Sequence, residues 1–163
     1  MAGIAADRLR AERKAWRKSH PIGFYARASK NTDGSSNLFE WQCGVPGKYG
    51  TPYEGGLYKL TIKFTEDYPN KAPDVRFTPL LWHMNIWTNG KICLNILNEN
   101  DGTWHGKWMP TTTIPEILMA VQQSLNEPNP KCPARMDIHQ LYSTNRAEYD
   151  RRVLEEAKKF PAD

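Results

Sequence analysis

The residue pair with the clearest chemical potential is a thiol and a carboxamide, Cys93 and Asn85. The turn Thr88-Asn89-Gly90 lies between them, and Asn-Gly is a strong tight-turn signal because both residues tolerate positive φ. The chain is therefore expected to fold back and place Asn85 near Cys93. Such a pair favours thioester chemistry, with the thiol as nucleophile and an amide N–H as donor to a developing oxyanion.

A simpler interpretation of Cys93 is that it packs in the core. It lies among Ile92, Leu94, Ile96 and Leu97, and a cysteine between apolar residues is more often a small core residue than a nucleophile. The cysteine alone therefore does not decide between packing and catalysis.

The charge of the chain is concentrated at its start. The net charge is +4, and residues 1–20 contain six basic and two acidic residues, so the rest of the chain is balanced. This distribution favours a local acidic partner over a general nucleic-acid surface. The length of 163 residues predicts one domain over residues 1–163.

The three cysteines, Cys43, Cys93 and Cys132, are odd in number and have no C-x-x-C pairing. This pattern argues against a disulfide framework and against a structural zinc site. No apolar run near the N-terminus suits a signal peptide or a membrane span. A reducing compartment, nucleus or cytoplasm, is the expected setting.

The order of predicted elements indicates an α+β fold. A helix over residues 3–18, anchored by Ile4, Leu9 and Trp16, precedes a short strand over residues 23–28. Alternating apolar residues predict three further strands, joined by turns without helical crossovers, which makes a four-stranded antiparallel meander. These strands are expected at residues 39–45, 58–64 and 75–77, with Cys43 in the core.

The second half of the chain combines a long loop with helices. Residues 80–113 are irregular, and loops of this length are usually functional. Thr113 and Glu116 then form a capping-box pattern before a central helix that packs on the sheet. Residues 134–159 predict one or two C-terminal helices.

Several stretches together resemble the ubiquitin-conjugating enzyme family, and within it the SUMO-conjugating enzymes. Family members carry His-Pro-Asn, then seven residues, then the cysteine that accepts the modifier; here His83-Met84-Asn85 precedes Cys93 at that spacing. The joint order of the shared stretches spans nearly the whole chain. Others are residues 12–18 with His20-Pro21, Pro46-Gly47-Lys48, residues 50–56, Asp67-Tyr68-Pro69, residues 125–129 and residues 157–160.

The resemblance implies a ubiquitin-conjugating enzyme fold and a role for each matching residue. Cys93 would carry SUMO as a thioester, Asn85 would assist, and His83 would support the asparagine loop. Trp87 and Cys132 would lie beside the incoming lysine. The acidic residue of the substrate motif would be bound by Arg76, Asn89 and Lys91. Noncovalent SUMO and the activating enzyme would be bound by Arg13, Lys14, Arg17 and His20.

Some positions depart from the family pattern. Cys132 stands where the family usually has an aspartate, Trp87 replaces a tyrosine, and Met84 replaces the proline. A thiol substitutes poorly for a carboxylate that orients an amine, so we expect lysine transfer to be slower than in the family. Asp74 and Lys91 stand where the family more often has Lys and Thr, so Arg76 and Lys91 are expected to receive the substrate acid.

Residues 98–107 form an insertion of about five residues, containing Trp104 and His105. Such an insertion costs little entropy. It is interpreted first as a surface extension and second as a partner contact through Trp104. His105 and His139 are interpreted as surface residues, so neither a metal nor a cofactor is expected.

The sequence leaves alternatives to a SUMO-conjugating enzyme. A ubiquitin-conjugating enzyme is disfavoured by the basic first helix and by the insertion from Pro46 to Gly50. A noncatalytic SUMO- or ubiquitin-binding module is disfavoured by the presence of Cys93 and Asn85. Direct binding to nucleic acid has only that basic helix in its favour. The expected partners are SUMO, the SUMO-activating enzyme, SUMO ligases and substrate proteins with acceptor lysines, with the chain itself a monomer and no membrane contact.

Overall fold

Four strands that follow one another along the chain form one antiparallel sheet in the order β1-β2-β3-β4. This computed structural model describes residues 3–99 and 107–162. The elements are α1 (Ile4–Lys18), β1 (Tyr25–Lys30), β2 (Ser36–Pro46), β3 (Leu57–Lys63), β4 (Asp74–Phe77), α2 (Ile114–Asn126), α3 (Met136–Thr144) and α4 (Arg146–Ala157), with a 3-10 turn at Asn95–Leu97.

The meander and the α+β class agree with the sequence prediction, with shifts at the element ends. β1 begins two residues later than expected and continues to Lys30, because its partners on β2 extend to Ser36. Cys43 is paired with Leu60 and is 1% exposed, so the prediction that it belongs to the core is confirmed. Burial raises the pKa of the Cys43 thiol to about 12, which leaves it protonated and unreactive.

Helix α1 is held by a partly buried ion pair together with a narrow apolar face of Ala5, Ala6, Leu9 and Trp16. Glu12 is 6% exposed; it accepts hydrogen bonds from Arg8 and from the backbone N–H of Ile114, the first residue of α2. The expectation that Ile4 anchors the helix is wrong, because Ile4 is 79% exposed and Ala5 faces the core instead. With so few apolar residues, the sequence does not fix the rotation of this helix.

Helix α2 is the central helix, and it packs against β2. The capping box is confirmed: the Thr113 side chain accepts the N–H of Glu116, and the Glu116 carboxylate accepts the N–H of Thr113. Its apolar face is buried through Ile114, Ile117, Leu118, Val121 and Leu125. The C-terminal end of α2 therefore reaches the loop of residues 80–93 from a fixed direction.

Within the described residues, no helix is both long and apolar enough to cross a membrane.

Candidate functional site

A short hairpin brings Asn85 and Cys93 together, as the turn signal predicts. Ile86 and Ile92 form a bridge, and the N–H of Cys93 donates to the carbonyl of Asn85 at 2.7 Å. The turn closes through the N–H of Gly90, which donates to the carbonyl of Trp87. Within this hairpin, Gly90 alone takes a positive φ, 89°, and a Cβ there would lie 2.5 Å from the carbonyl oxygen of Phe77. Glycine is thus required for both conformation and space.

The Asn85 carboxamide clamps this hairpin to the segment that follows α2. Its Nδ2 donates to the carbonyls of Asn129, at 2.8 Å, and Cys132, at 2.7 Å, while its Oδ1 accepts the N–H of Asn129 at 2.9 Å. Asn85 is 1% exposed. Because both N–H groups are engaged, a role as oxyanion donor would require one of these bonds to be released; that role stays a prediction.

His83 supports the same loop from behind. Its Nδ1 accepts the backbone N–H of Asn85, and its Nε2 lies 3.0 Å from the carbonyl of Ser124 and 3.2 Å from that of Leu125, at the end of α2. Nε2 therefore carries the proton of the neutral imidazole. Complete burial lowers the pKa of His83 to about 4, so the ring is neutral at physiological pH.

Met84 ties the hairpin to the segment of Cys132 through its backbone. The Met84 side chain is fully buried. The backbone carbonyl of Met84 accepts the N–H groups of Ala134, at 2.7 Å, and Arg135, at 3.0 Å. The hairpin and residues 129–135 are thus joined by side-chain and main-chain hydrogen bonds on both sides of Cys132.

Cys93 and Cys132 form a disulfide, with Cα atoms 6.6 Å apart. This corrects the expectation that the chain has no disulfide. A C-x-x-C spacing would have indicated such a pair, whereas these two cysteines are 39 residues apart in the chain and meet through the Asn85 clamp. The structure thus places Cys132, which stands where the family usually has an aspartate, directly beside Cys93.

Cys93 opens onto a groove of about 750 Å³ along the edge of the sheet. Trp87 forms one wall and is 39% exposed, so an extended aliphatic chain entering the groove would contact its ring. Lys63 and Lys91 contribute positive charge and Asp74 and Glu99 negative charge. The side-chain positions of Trp87 and Cys132 beside Cys93 are compatible with the predicted lysine path, which stays a prediction.

The structure changes the interpretation of the substrate-acid residues. Arg76 makes a bidentate ion pair with Asp74, with Nε–Oδ1 2.8 Å and Nη2–Oδ2 3.1 Å, and it does not line the groove. This bond, first among its causes, lowers the pKa of the Asp74 carboxyl. The Arg76 guanidinium is therefore already bound to Asp74. Of the two residues predicted to receive the substrate acid, Lys91 is the one that lines the groove.

Asn89 has a backbone role in the turn. Its Oδ1 accepts the N–H of Lys91 at 3.0 Å. Lys63 was not predicted as a site residue, but it lines the groove. It is the last residue of β3, and its side chain points away from the core. The period-two alternation of β3 was the available signal, since it already placed Lys63 on the face opposite the core.

The predicted docking residues lie around α1. Lys14, Arg17 and His20 are exposed, while Arg13 is half-buried and donates to Ser36 Oγ at 3.3 Å. His20 stacks on Trp16, with ring centroids 4.7 Å apart. Arg13 and Arg17 border a depression with Arg27 and Lys30 of the edge strand β1, so the basic surface extends from the helix onto the sheet. The second pair was not predicted.

Two sequence predictions concern other parts of the chain. Trp104 and His105 lie outside the described residues, although the segment that returns from the insertion is anchored by Trp108, which is 3% exposed and donates to the carbonyl of Pro69. His139 is half-buried on α3. In residues 3–99 and 107–162, no group of three or more His, Cys, Asp or Glu side chains is arranged to hold a metal ion.

The comparisons with known proteins agree with this geometry. The sequence profile of the family described as ubiquitin-conjugating enzyme matches residues 8–157. The chain is 49% identical over 162 residues to the Sumo-conjugating enzyme ubc9 of Dictyostelium discoideum, covering 99% of this chain and 98% of that protein. It is 45% identical over 163 residues to the SUMO-conjugating enzyme UBC9 of Caenorhabditis elegans, covering 100% and 95%. With a matching profile over most of its length and near-complete alignment to these relatives, the chain belongs to the ubiquitin-conjugating enzyme family.

Proposed function

We propose that this protein is a SUMO-conjugating enzyme that accepts SUMO on Cys93 and transfers it to lysine side chains. The observation that carries the proposal is the near-full-length identity, 45% and 49%, to two proteins that bear this name. The site supplies the chemistry, because Cys93 borders an open groove and is held on a hairpin against Asn85.

The first step exchanges one thioester for another. The reduced Cys93 thiolate attacks the carbonyl carbon of the thioester on the activating enzyme, and the cysteine of that enzyme leaves as a thiolate. The exchange is nearly isoenergetic, so the attacking sulfur needs only access and partial ionisation. Cys93 must therefore be released from Cys132 before it can be charged.

The second step forms an isopeptide bond. A lysine amine attacks the thioester carbon, Cys93 leaves as a thiolate, and the amine loses its proton. A lysine with an ordinary pKa of about 10.4 is almost entirely protonated at neutral pH, so the groove must favour the neutral amine. Trp87 supplies an apolar wall for the lysine stem, whereas Cys132 supplies no carboxylate to orient the nitrogen.

Recognition of the substrate acid falls to Lys91, assisted by Lys63. Both line the groove, whereas Arg76 is engaged by Asp74. Asp74 also adds a negative charge to the region where a substrate acid would bind. We therefore infer a weaker preference for acidic substrate motifs than the basic residues alone would give.

The partners follow from the same function. The basic surface of Arg13, Lys14 and Arg17 with His20 suits noncovalent docking of SUMO and of the activating enzyme, because Lys14 and Arg17 are exposed cations that attract an acidic surface. SUMO ligases and lysine-bearing proteins are the further partners. We propose that the enzyme works as a monomer in nucleus and cytoplasm, without direct contact to nucleic acid or membrane.

The test is a charging assay on fully reduced protein. After the reductant is removed, the protein is incubated with ATP, SUMO and the SUMO-activating enzyme, and in parallel with ubiquitin and its activating enzyme. A reductant-sensitive adduct with SUMO alone, absent in Cys93→Ala, supports the proposal. An adduct with ubiquitin alone would assign the chain to ubiquitin conjugation, and no adduct with either would indicate a binding module.

A further inference from the structure

We propose that Cys93 and Cys132 are a redox pair, in which Cys132 resolves oxidised Cys93 into a reversible disulfide that switches conjugation off. The inference rests on the proposed function for its consequence, because only a protein that uses the Cys93 thiol is switched off by its oxidation. The pairing itself rests on the structure, in which the two sulfur atoms are bonded.

Hydrogen bonds, in addition to the disulfide, hold the two cysteines near each other. Their Cα atoms are 6.6 Å apart, inside the range that disulfides span. The carbonyl of Cys132 accepts a hydrogen bond from the Asn85 side chain, and the carbonyl of Asn85 accepts one from the N–H of Cys93. A single buried residue is thus bonded to both cysteines, so reduction leaves the thiols facing each other.

Access distinguishes this pair from the third cysteine. Cys93 is 8% exposed but borders two surface depressions, and Cys132 is half-buried, so the bond lies near the surface, where small oxidants and dithiol reductants can approach it. Cys43 is 1% exposed in the sheet, and burial raises its pKa to about 12, so it offers no thiolate. It provides an internal control in the same molecule.

The chemistry balances with a peroxide as oxidant. The Cys93 thiolate attacks one peroxide oxygen and becomes a sulfenic acid, while the other oxygen leaves as hydroxide or alkoxide and takes a proton. The Cys132 thiolate then attacks the Cys93 sulfur and expels hydroxide, which becomes water. The two thiols lose two electrons and two protons in total, and hydrogen peroxide is reduced to two waters. A dithiol reverses the reaction by exchange.

The disulfide has two consequences for an enzyme that works through Cys93. It removes the nucleophile, so no thioester forms. It also removes the sulfenic acid before a second peroxide can convert it to a sulfinic acid, which dithiols do not reduce. The residue that departs from the family at position 132 thereby gives this chain a recoverable oxidised state.

The test measures the bond and the activity separately. Reduced full-length protein, Cys132→Ser, Cys132→Asp and Cys43→Ser are treated with hydrogen peroxide at a concentration comparable to the protein, and intact masses are recorded. The wild-type protein and Cys43→Ser should lose about 2 Da, one hydrogen from each thiol, and yield a linked peptide pair containing Cys93 and Cys132. Both position-132 variants should instead gain oxygen on Cys93.

Recovery is measured after reduction and removal of the dithiol. After prolonged peroxide exposure and reduction, the wild-type protein should regain SUMO charging. The position-132 variants should charge with SUMO about tenfold less, or lower still, than the same variants before peroxide treatment. A loss of 2 Da that persists in Cys132→Ser, or equal recovery in all proteins, would overturn the redox pair. If the linked peptides form but reduced wild-type protein never charges with SUMO, the pair stands and the proposed function fails.

Discussion

Asn85→Ala tests whether the carboxamide clamp holds the site together. The substitution removes three hydrogen bonds at a residue that is 1% exposed, and it leaves the carbonyls of Asn129 and Cys132 and the N–H of Asn129 without that partner. A buried hydrogen bond contributes about 1 kcal/mol net, so we expect the free energy of unfolding to fall by about 3 kcal/mol. Because the Asn85 side chain is buried, competition from solvent water does not lower this value in the folded protein.

The assay is urea unfolding of the wild-type protein and the variant, both kept fully reduced. Reduction matters because the disulfide joins the same two segments and would constrain the unfolded chain in both proteins. Asn89→Ala is the matched control: its side chain is exposed and accepts one backbone N–H, so its effect should stay near 0.5 kcal/mol. A loss below about 1 kcal/mol for Asn85→Ala would refute the clamp, since water would then replace its bonds without cost.

Three further predictions concern the thiol, the groove and the buried imidazole. Cys132→Asp should speed discharge of SUMO-charged enzyme onto free lysine by about tenfold, measured in a single turnover, because a carboxylate can orient the amine. Asp74→Asn should release Arg76 and raise kcat/KM for peptides with an acidic motif by about threefold relative to neutral ones, whereas Lys91→Ala should lower that ratio. Unfolded His83 titrates near 6.5 but folded His83 only near 4, so its contribution to stability is present above pH 6.5 and is lost as the pH falls towards 4, by about 3 kcal/mol.

Each of these has a contradicting outcome. Discharge at an unchanged rate in Cys132→Asp would mean that the thiol does not limit lysine transfer. An unchanged peptide ratio in Lys91→Ala would remove that residue from recognition of the substrate acid. For the imidazole, unfolding is followed from pH 7.5 to pH 4 in wild-type protein and His83→Gln; parallel curves would show that His83 does not carry the pH dependence.

Local patterns predicted the parts of the site that are made by residues close together in sequence. Asn-Gly predicted the hairpin that joins Asn85 to Cys93, and Thr113 with Glu116 predicted the start of α2. In each case the hydrogen bonds that create the structure lie within a few residues. The alternation of β2 likewise placed Cys43 in the core.

The sequence did not predict two kinds of contact. The first joins segments that are distant in the chain, and the second involves a side chain that could pair with either of two partners. The disulfide joins residues 39 apart, and no periodicity indicates that residues 129–135 return to the hairpin. Arg76 could pair either with an acidic residue of the substrate or with Asp74. Asp74 lies two residues earlier on the same strand and accepts two hydrogen bonds from the guanidinium, which favours the pairing with Asp74. Side-chain competition of this kind depends on rotamers that a sequence pattern does not specify.

Helix α2 connects the basic helix α1 to the loop that carries the reactive thiol. Its first residue, Ile114, is hydrogen-bonded to Glu12 on the basic helix, and the carbonyls of Ser124 and Leu125 at its far end contact His83 behind the thiol loop. At 1.5 Å per residue these attachments lie roughly 16 Å apart on one stiff rod. The docking helix and the thiol loop are thus attached to opposite ends of the same helix, so the length of α2 sets the distance between the two attachments.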